Sequence, residues 1–241
     1  MAFVGALRTC GAPVPLTWVL DGMDSKVVCR EIKKFIWPML KAEGFDTFTS
    51  RVAWRHTAER IDVVEFQSFN KYNADVIGTT TYSFAVRLGC IPLYVPPQWP
   101  LPLKNGVLIP SEAACYFRRS LVCSLQSSLK DKCIWPIDAE GKNLHWSIQD
   151  VLNQLPEALS WFQRLSSRNE VLRVLTEEDE NMQLLWGMGR NPSPIRSYLT
   201  GYAALANGDQ ELAKVKFNEA IESKCFINLF SRVEGAINRA V

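Results

Sequence analysis

The sequence of 241 residues predicts an α+β fold, in which an antiparallel sheet of about four strands is flanked by helices and followed by an α-helical C-terminal region. Three observations support it: apolar residues recur at helical spacing near the N-terminus, alternate with polar residues at period two in the next stretch, and return to helical spacing after residue 147. Apolar residues make up 47% of the chain and the formal net charge is +2. This composition excludes a disordered chain and disfavours a dedicated DNA-binding domain.

The chain is predicted to have three parts. Residues 1–22 form a weakly ordered extension, because Arg8 and the Gly- and Pro-containing stretch 11–15 interrupt its apolar residues. Met23 directly precedes a well-formed helix and is therefore a second candidate for the native start, beside Met1. Residues 23–175 form the α+β domain and residues 176–241 the helical region, with the best candidate boundary in the loop 187–192.

The first predicted helix runs from Lys26 to Glu43, where apolar residues recur every three or four positions. Pro38 lies inside it and predicts a kink near residues 34–37, because proline cannot donate a backbone hydrogen bond. Gly44 suits the left-handed position after the helix, and Phe45 would then contact Leu40 in a Schellman ending.

Strand patterns follow the first helix. The predicted strands are 48–54, 61–69, 80–91 and 113–125, the last of which also fits a short helix. Residues 70–79 are predicted to be a polar loop. Residues 92–110, here called the insert, contain six prolines, so no regular strand or helix is expected within them.

From Ser147 onward the pattern is helical. Ser147 and Asp150 resemble a capping box, and the helix they open is predicted to break or kink at Pro156. The predicted helices that follow are one capped by Ser167 and ending at Leu175, one over 177–186, one from Ser193-Pro194 to Ala206, one over 210–223 capped by Asp209, and a last one from about Ile227.

Residues 23–175 carry a resemblance to a known family. The order of elements, together with the segments 36–45, 63–68, 84–88 and 115–121, resembles the bacterial family catalogued as domain of unknown function 4304. The resemblance implies an α+β fold and no particular activity. Gly201, Ala213, Phe217 and Ala220 resemble the packing positions of a tetratricopeptide repeat, which implies a closely packed helical hairpin.

The cysteines and histidines predict no metal site and no cofactor. The seven cysteines are scattered without a C-x-x-C pair, as is typical of reduced, buried thiols in a cytoplasmic protein. His56 and His145 lack the spacing of a zinc motif. A cysteine nucleophile would need Cys115 or Cys123 to meet His145 in the fold.

Two alternative functions depend on the sheet. A metal-dependent nuclease would use Asp46, Glu65 and Gln67, because an acid followed by Glu-x-Gln on the next strand resembles some restriction-type nucleases. A nucleic-acid binder would use arginines interleaved with aromatic residues on the sheet, which can stack on bases. Those arginines are Arg51, Arg55, Arg87, Arg118 and Arg119.

The insert points instead to a protein partner. Its residues Tyr94, Trp99, Leu101 and Leu103 lie between prolines, which would hold them rigidly and lower the entropy lost on binding. The alternative is that the insert folds back over the sheet. We expect a non-catalytic cytoplasmic protein-interaction module without a membrane span, such as an immunity or accessory protein of a bacterial toxin or anti-phage system.

Overall fold

The computed structural model describes residues 24–177 and 193–240, and it has the predicted α+β fold. The helices are α1 (Ser25–Glu31), α2 (Trp37–Ala42), α3 (Lys71–Ile77), α4 (Leu144–Arg164), α5 (Arg168–Thr176), α6 (Pro194–Ala206), α7 (Gln210–Glu222) and α8 (Val233–Ile237). The strands are β1 (Thr47–Phe48), β2 (Val52–His56), β3 (Arg60–Ser68), β4 (Phe84–Pro92), β5 (Leu103–Lys104), β6 (Val107–Leu108), β7 (Phe117–Ser120) and β8 (Ile134–Trp135).

The first helix is continuous but changes geometry where the kink was predicted. A π-helical segment, Ile32–Ile36, joins α1 to α2, and the N–H of Trp37 donates to the carbonyl of Ile32 just before Pro38. The predicted Schellman ending is confirmed. Gly44 has φ +84°, and the N–H of Phe45 donates to the carbonyl of Leu40 at 3.0 Å.

The main sheet is antiparallel throughout, with strand order β1-β2-β3-β4-β7, and β8 pairs with the far end of β4. The face packed against α1, α2 and α4, here called the helix face, carries apolar residues such as Val64, Phe66, Val86 and Leu88. The opposite face, here called the insert face, carries Trp54 and other buried residues at alternate positions. The sheet is therefore covered on both sides.

Two predicted irregular segments contain short elements. The prediction of a polar loop over residues 70–79 was wrong, since this segment contains α3. The Asn70 side chain caps the start of α3, and Gly78, at φ +80°, ends it. The insert was wrongly predicted to lack strands. Asn105 and Gly106, at φ 51° and 78°, make the tight turn of a hairpin formed by β5 and β6.

The predicted strand 113–125 is too long. A 3₁₀ turn, Glu112–Ala114, precedes β7, and only Phe117–Ser120 pairs with β4. Gly89 of β4 lets this turn approach closely, because a Cβ at Gly89 would lie 2.5 Å from the sulfur of Cys115.

The start of α4 differs from its prediction. The helix begins at Leu144, so the proposed capping box of Ser147 and Asp150 is wrong, and the helix continues through Pro156. Asp150 instead accepts a hydrogen bond from the indole of Trp135 at 2.8 Å. This buried bond between α4 and β8 is a tertiary contact that local spacing does not reveal.

Helices α5, α6 and α7 follow their predictions closely, whereas α8 does not. Ser167 caps α5, and α6 and α7 begin and end within one residue of the predicted positions. The final helix starts at Val233 rather than near Ile227. The predicted extension 1–22 with Met23, the helix predicted over 177–186 beyond Glu177, and the loop 187–192 lie outside the described residues.

The helical hairpin of α6 and α7 shares its core with the sheet. Buried residues of both helices belong to the same apolar cluster as the helix face. The Tyr198 hydroxyl of α6 donates to the carbonyl of Pro96 in the insert at 2.7 Å. Within the hairpin, Gly201 lies against the ring of Phe217, and a Cβ at Gly201 would be 2.5 Å from that ring.

We expect Gly201→Ala to lower the free energy of unfolding by about 1–2 kcal/mol, because overpacking costs more than the gain in helix propensity. The measurement is urea unfolding followed by circular dichroism. Gly235→Ala is the matched control, because its Cβ would lie 3.5 Å from Phe230, an ordinary contact distance. Equal stability changes in the two variants would contradict the close packing of α6 and α7.

Candidate functional site

The insert folds back over one end of the insert face. The indole of Trp54 donates to the carbonyl of Pro110 at 2.7 Å, and both groups are buried. Leu101 packs on the buried cluster that contains Trp54, Ile61 and Ile91. Covering the sheet was the alternative role considered for this segment, and the structure shows that the insert performs it.

His56 and Asp46 tie the hairpin of the insert to the sheet. The Nε2 of His56 lies 2.8 Å from the carbonyl oxygen of Leu108, and its Nδ1 lies 2.7 Å from Oδ1 of Asp46. Burial acts to raise the pKa of Asp46, but hydrogen bonds from His56 and Thr47 bring it below its ordinary value. Asp46, the first acid of the proposed nuclease site, is therefore bound to His56 in a contact that holds the insert on the sheet.

The four predicted partner-binding residues divide into two pairs. Trp99 and Leu103 are exposed, with 74% and 65% of their surfaces accessible. Leu101 and Tyr94 instead pack on the apolar clusters, and the guanidinium of Arg168 lies 5.3 Å from the Tyr94 ring centroid. Burial raises the pKa of the Tyr94 hydroxyl well above its ordinary value. Only the first pair is available to a partner.

A small apolar pocket lies beside Trp99. Its volume is about 290 Å³, and Trp99, Pro100, Leu101, Tyr116 and Ile195 contribute to its walls. The Tyr116 hydroxyl donates to the carbonyl of Pro96, which fixes one side of the pocket. The indole and the pocket together form a site that fits an apolar side chain.

A larger polar cleft of about 690 Å³ opens on the insert face. It lies between the apolar cover supplied by the insert and a second apolar patch formed by Ala85, Leu129 and Ile134. Glu65, Gln67, Arg87, Glu112, Arg118 and Ser120 are among its lining residues.

Hydrogen bonds fix the groups of this cleft. The carboxylate of Glu65 accepts from the N–H of Glu112 at 3.0 Å, and Glu112 forms a two-bond ion pair with Arg118 at 2.7 and 2.9 Å. Arg87 donates to the amide oxygen of Gln67 at 3.3 Å and to the hydroxyl of Ser120.

The structure brings only two of the three proposed nuclease residues together. Glu65 and Gln67 line the cleft, as their alternation on β3 predicted. Glu65 pairs with Val52 at one end of β2, whereas Asp46 binds His56 at the other end, four extended residues or about 13 Å away. Within residues 24–177 and 193–240, no group of three His, Cys, Asp or Glu side chains has metal-binding geometry.

The five arginines proposed for nucleic-acid binding do not form one surface. Three of them, Arg87, Arg118 and Arg119, contribute to the walls of the cleft. Arg55 lies on the helix face, where its side chain is 15% exposed, bound to Asp62 at 2.7 Å and stacked on aromatic rings. Arg119 forms an ion pair with Glu157 of α4, and two buried nitrogens of Arg51 make no hydrogen bond.

Burial also disfavours a cysteine nucleophile. It raises the pKa of Cys115 far above its ordinary value and that of Cys123 to a lesser degree. The reactive thiolate is therefore disfavoured at both sites. Cys115 lies on the insert face, away from His145 in α4.

Sequence reasoning missed part of the cleft. Glu112, Ser120 and Cys133 come from three segments that meet only through pairing with β4. One signal was present, because Gly89 inside a strand indicates a close backbone approach, and that approach positions Glu112.

No protein-family model, curated protein or solved structure matches this chain. Among the described helices, none is both long and apolar enough to span a bilayer.

We expect Trp54→Phe to loosen the insert, because it keeps a buried ring but leaves the Pro110 carbonyl without its donor, at a cost of about 1–2 kcal/mol. Hydrogen exchange at the Ile109 amide measures this effect. Trp161→Phe is the matched control, because the buried indole N–H of Trp161 makes no hydrogen bond. Equally fast exchange of Ile109 in both variants would contradict the conclusion that the hydrogen bond from Trp54 to Pro110 anchors the insert.

Proposed function

We propose that the protein is a non-catalytic protein-interaction module whose insert presents Trp99 and Leu103 to a protein partner. The observation that carries the proposal is the exposure of Trp99 beside an apolar pocket. Large aromatic side chains in such positions contribute a large share of binding energy in protein interfaces.

The rigidity of the insert supports this function. Trp99 follows a segment whose carbonyl at Pro96 accepts hydrogen bonds from Tyr116 and Tyr198, and whose carbonyl at Pro97 accepts one from Arg239. A segment whose backbone is held in this way loses little backbone entropy when a partner binds.

The apolar pocket indicates what the partner presents. Its walls are formed largely by proline, leucine, isoleucine and aromatic side chains, so it fits an aliphatic or aromatic side chain. Leu103 and Val107 on the neighbouring hairpin are also exposed and would extend the contact.

We extend the proposal to the origin and location of the protein, which we propose to be bacterial and cytoplasmic. The resemblance of residues 23–175 to domain of unknown function 4304 supports a bacterial origin, and the scattered free thiols support a cytoplasmic location. We propose an immunity or accessory protein of a toxin or anti-phage system as the specific role. Nuclease action and nucleic-acid binding are the alternatives, but neither has its full set of residues at one surface.

We expect Trp99→Ala to reduce recovery of the partner at least about tenfold in an affinity pull-down from native lysate, because loss of a hot spot of about 2 kcal/mol weakens binding about thirtyfold. Its free energy of unfolding is expected to change by less than about 0.5 kcal/mol, because the side chain is exposed. The recovered proteins are identified by mass spectrometry, with and without nuclease treatment.

Trp146→Ala is the matched control, since Trp146 is 63% exposed on α4, on the other side of the sheet. It is expected to leave recovery unchanged. Loss of the partner on nuclease treatment would favour the nucleic-acid alternative. Equal recovery with both variants would rule out Trp99 as the contact.

A further inference from the structure

We propose that the polar cleft binds a free α-amino acid as its zwitterion, with the ligand carboxylate on Arg87 and the ligand ammonium on Glu65. This site adjoins the Trp99 pocket at Ala113 and Arg118, but its two ligand-binding residues belong to β3 and β4, which the proposed function does not use.

Within residues 24–177 and 193–240, the cleft gives access to a charged residue of β4. All residues of β4 are buried except Arg87, which is half-buried and lies at the cleft floor. A charged side chain therefore stands where two apolar patches leave the central strand accessible. The concave surface limits competition from water for ligand contacts.

Arg87 is free to bind an anion. The side chains that accept its hydrogen bonds, Gln67 and Ser120, are neutral, and no carboxylate of the described residues lies within 4.0 Å of its guanidinium. By contrast, Arg118 and Arg119 each have a carboxylate partner. A guanidinium with unused donors in a cleft suits a planar carboxylate, which it can bind through two hydrogen bonds.

Glu65 supplies the opposite charge. It stands directly across from Arg87 in the sheet register, on the same face, yet the two side chains form no ion pair. Glu65 turns towards the N–H of Glu112, whereas Arg87 turns towards Ser120. Opposite charges that are held apart in this way are complementary to a ligand that carries an ammonium and a carboxylate on one carbon.

The remaining charges disfavour polyanions. Asp131 and Arg119 also line the cleft, but Arg118 and Arg119 are each held in an ion pair, with Glu112 and Glu157 respectively. A phosphate or a nucleic-acid backbone would place its charge near Glu65 and Asp131 and be repelled, whereas a zwitterion satisfies both signs.

The test is isothermal titration calorimetry of the full chain with each of the common free amino acids. At least one is expected to bind with a Kd between about 1 μM and 1 mM. Its N-acetyl derivative, which lacks the ammonium, and its amide, which lacks the carboxylate, are each expected to bind at least about tenfold more weakly. Acetate and inorganic phosphate serve as probes with negative charge alone.

Two variants assign the contacts. Glu65→Gln is expected to remove the preference for the free amino acid over its N-acetyl derivative, and Arg87→Gln the preference over its amide. Arg30→Gln, an exposed arginine on α1, is the control for a change of charge alone. Because Glu65→Gln is nearly isosteric and Glu65 is only half-buried, this variant remains informative if Arg87→Gln fails to fold.

Binding of phosphate or of the N-acetyl derivative as tightly as the free amino acid would overturn the proposal. So would the absence of binding by every amino acid at about 10 mM. Failure here leaves the Trp99 pull-down result unaffected, because the two experiments probe different surfaces.

Discussion

Strand β4 is buried along both of its faces, and this burial determines where the surrounding elements lie. The helices α1, α2 and α4 cover one face, while the insert and the stretch around Leu129 cover the other. A strand of this kind contributes to stability only if both covers are in place, because apolar area must leave water on each side. Gly89 permits the second cover, since any side chain there would collide with Cys115.

The same constraint explains why the two proposed binding surfaces differ in character. Leu101 of the insert packs on the sheet, whereas Trp99 and Leu103 on either side of it are exposed. Among the described residues of β4, Arg87 alone is not buried, and the polar cleft opens there. The first surface combines an exposed indole with an apolar pocket and suits a protein, whereas the cleft carries both charges and suits a small ligand.

Local chemistry made part of the fold predictable. The ending at Gly44 and the helices α6 and α7 depend on residues within a few positions of one another, and they were predicted correctly. The start of α4 was not predicted correctly, because Asp150 does not cap the helix and instead accepts a hydrogen bond from Trp135 in β8. The cleft depends on the register of the strands. The alternation of residues along β3 predicted that Glu65 and Gln67 share a face, but only the pairing of β3 with β4 brings Arg87 opposite Glu65. The pairing of β2 with β3 leaves Asp46 at the other end of β2 from Glu65.

Native-state thiol labelling tests the central claim, that the insert and its neighbouring turn close the second face of β4. Cys115 is buried beside β4 on the insert face, and Cys90 is buried within β4 on the helix face, where it serves as an internal reference. Burial raises the pKa of both thiols, whereas Cys225 is exposed. With iodoacetamide and mass-spectrometric readout at each cysteine, we expect Cys90 and Cys115 to react at least about a hundredfold more slowly than Cys225, because labelling requires local opening. Reaction of Cys115 at a rate close to that of Cys225 would contradict a closed second face.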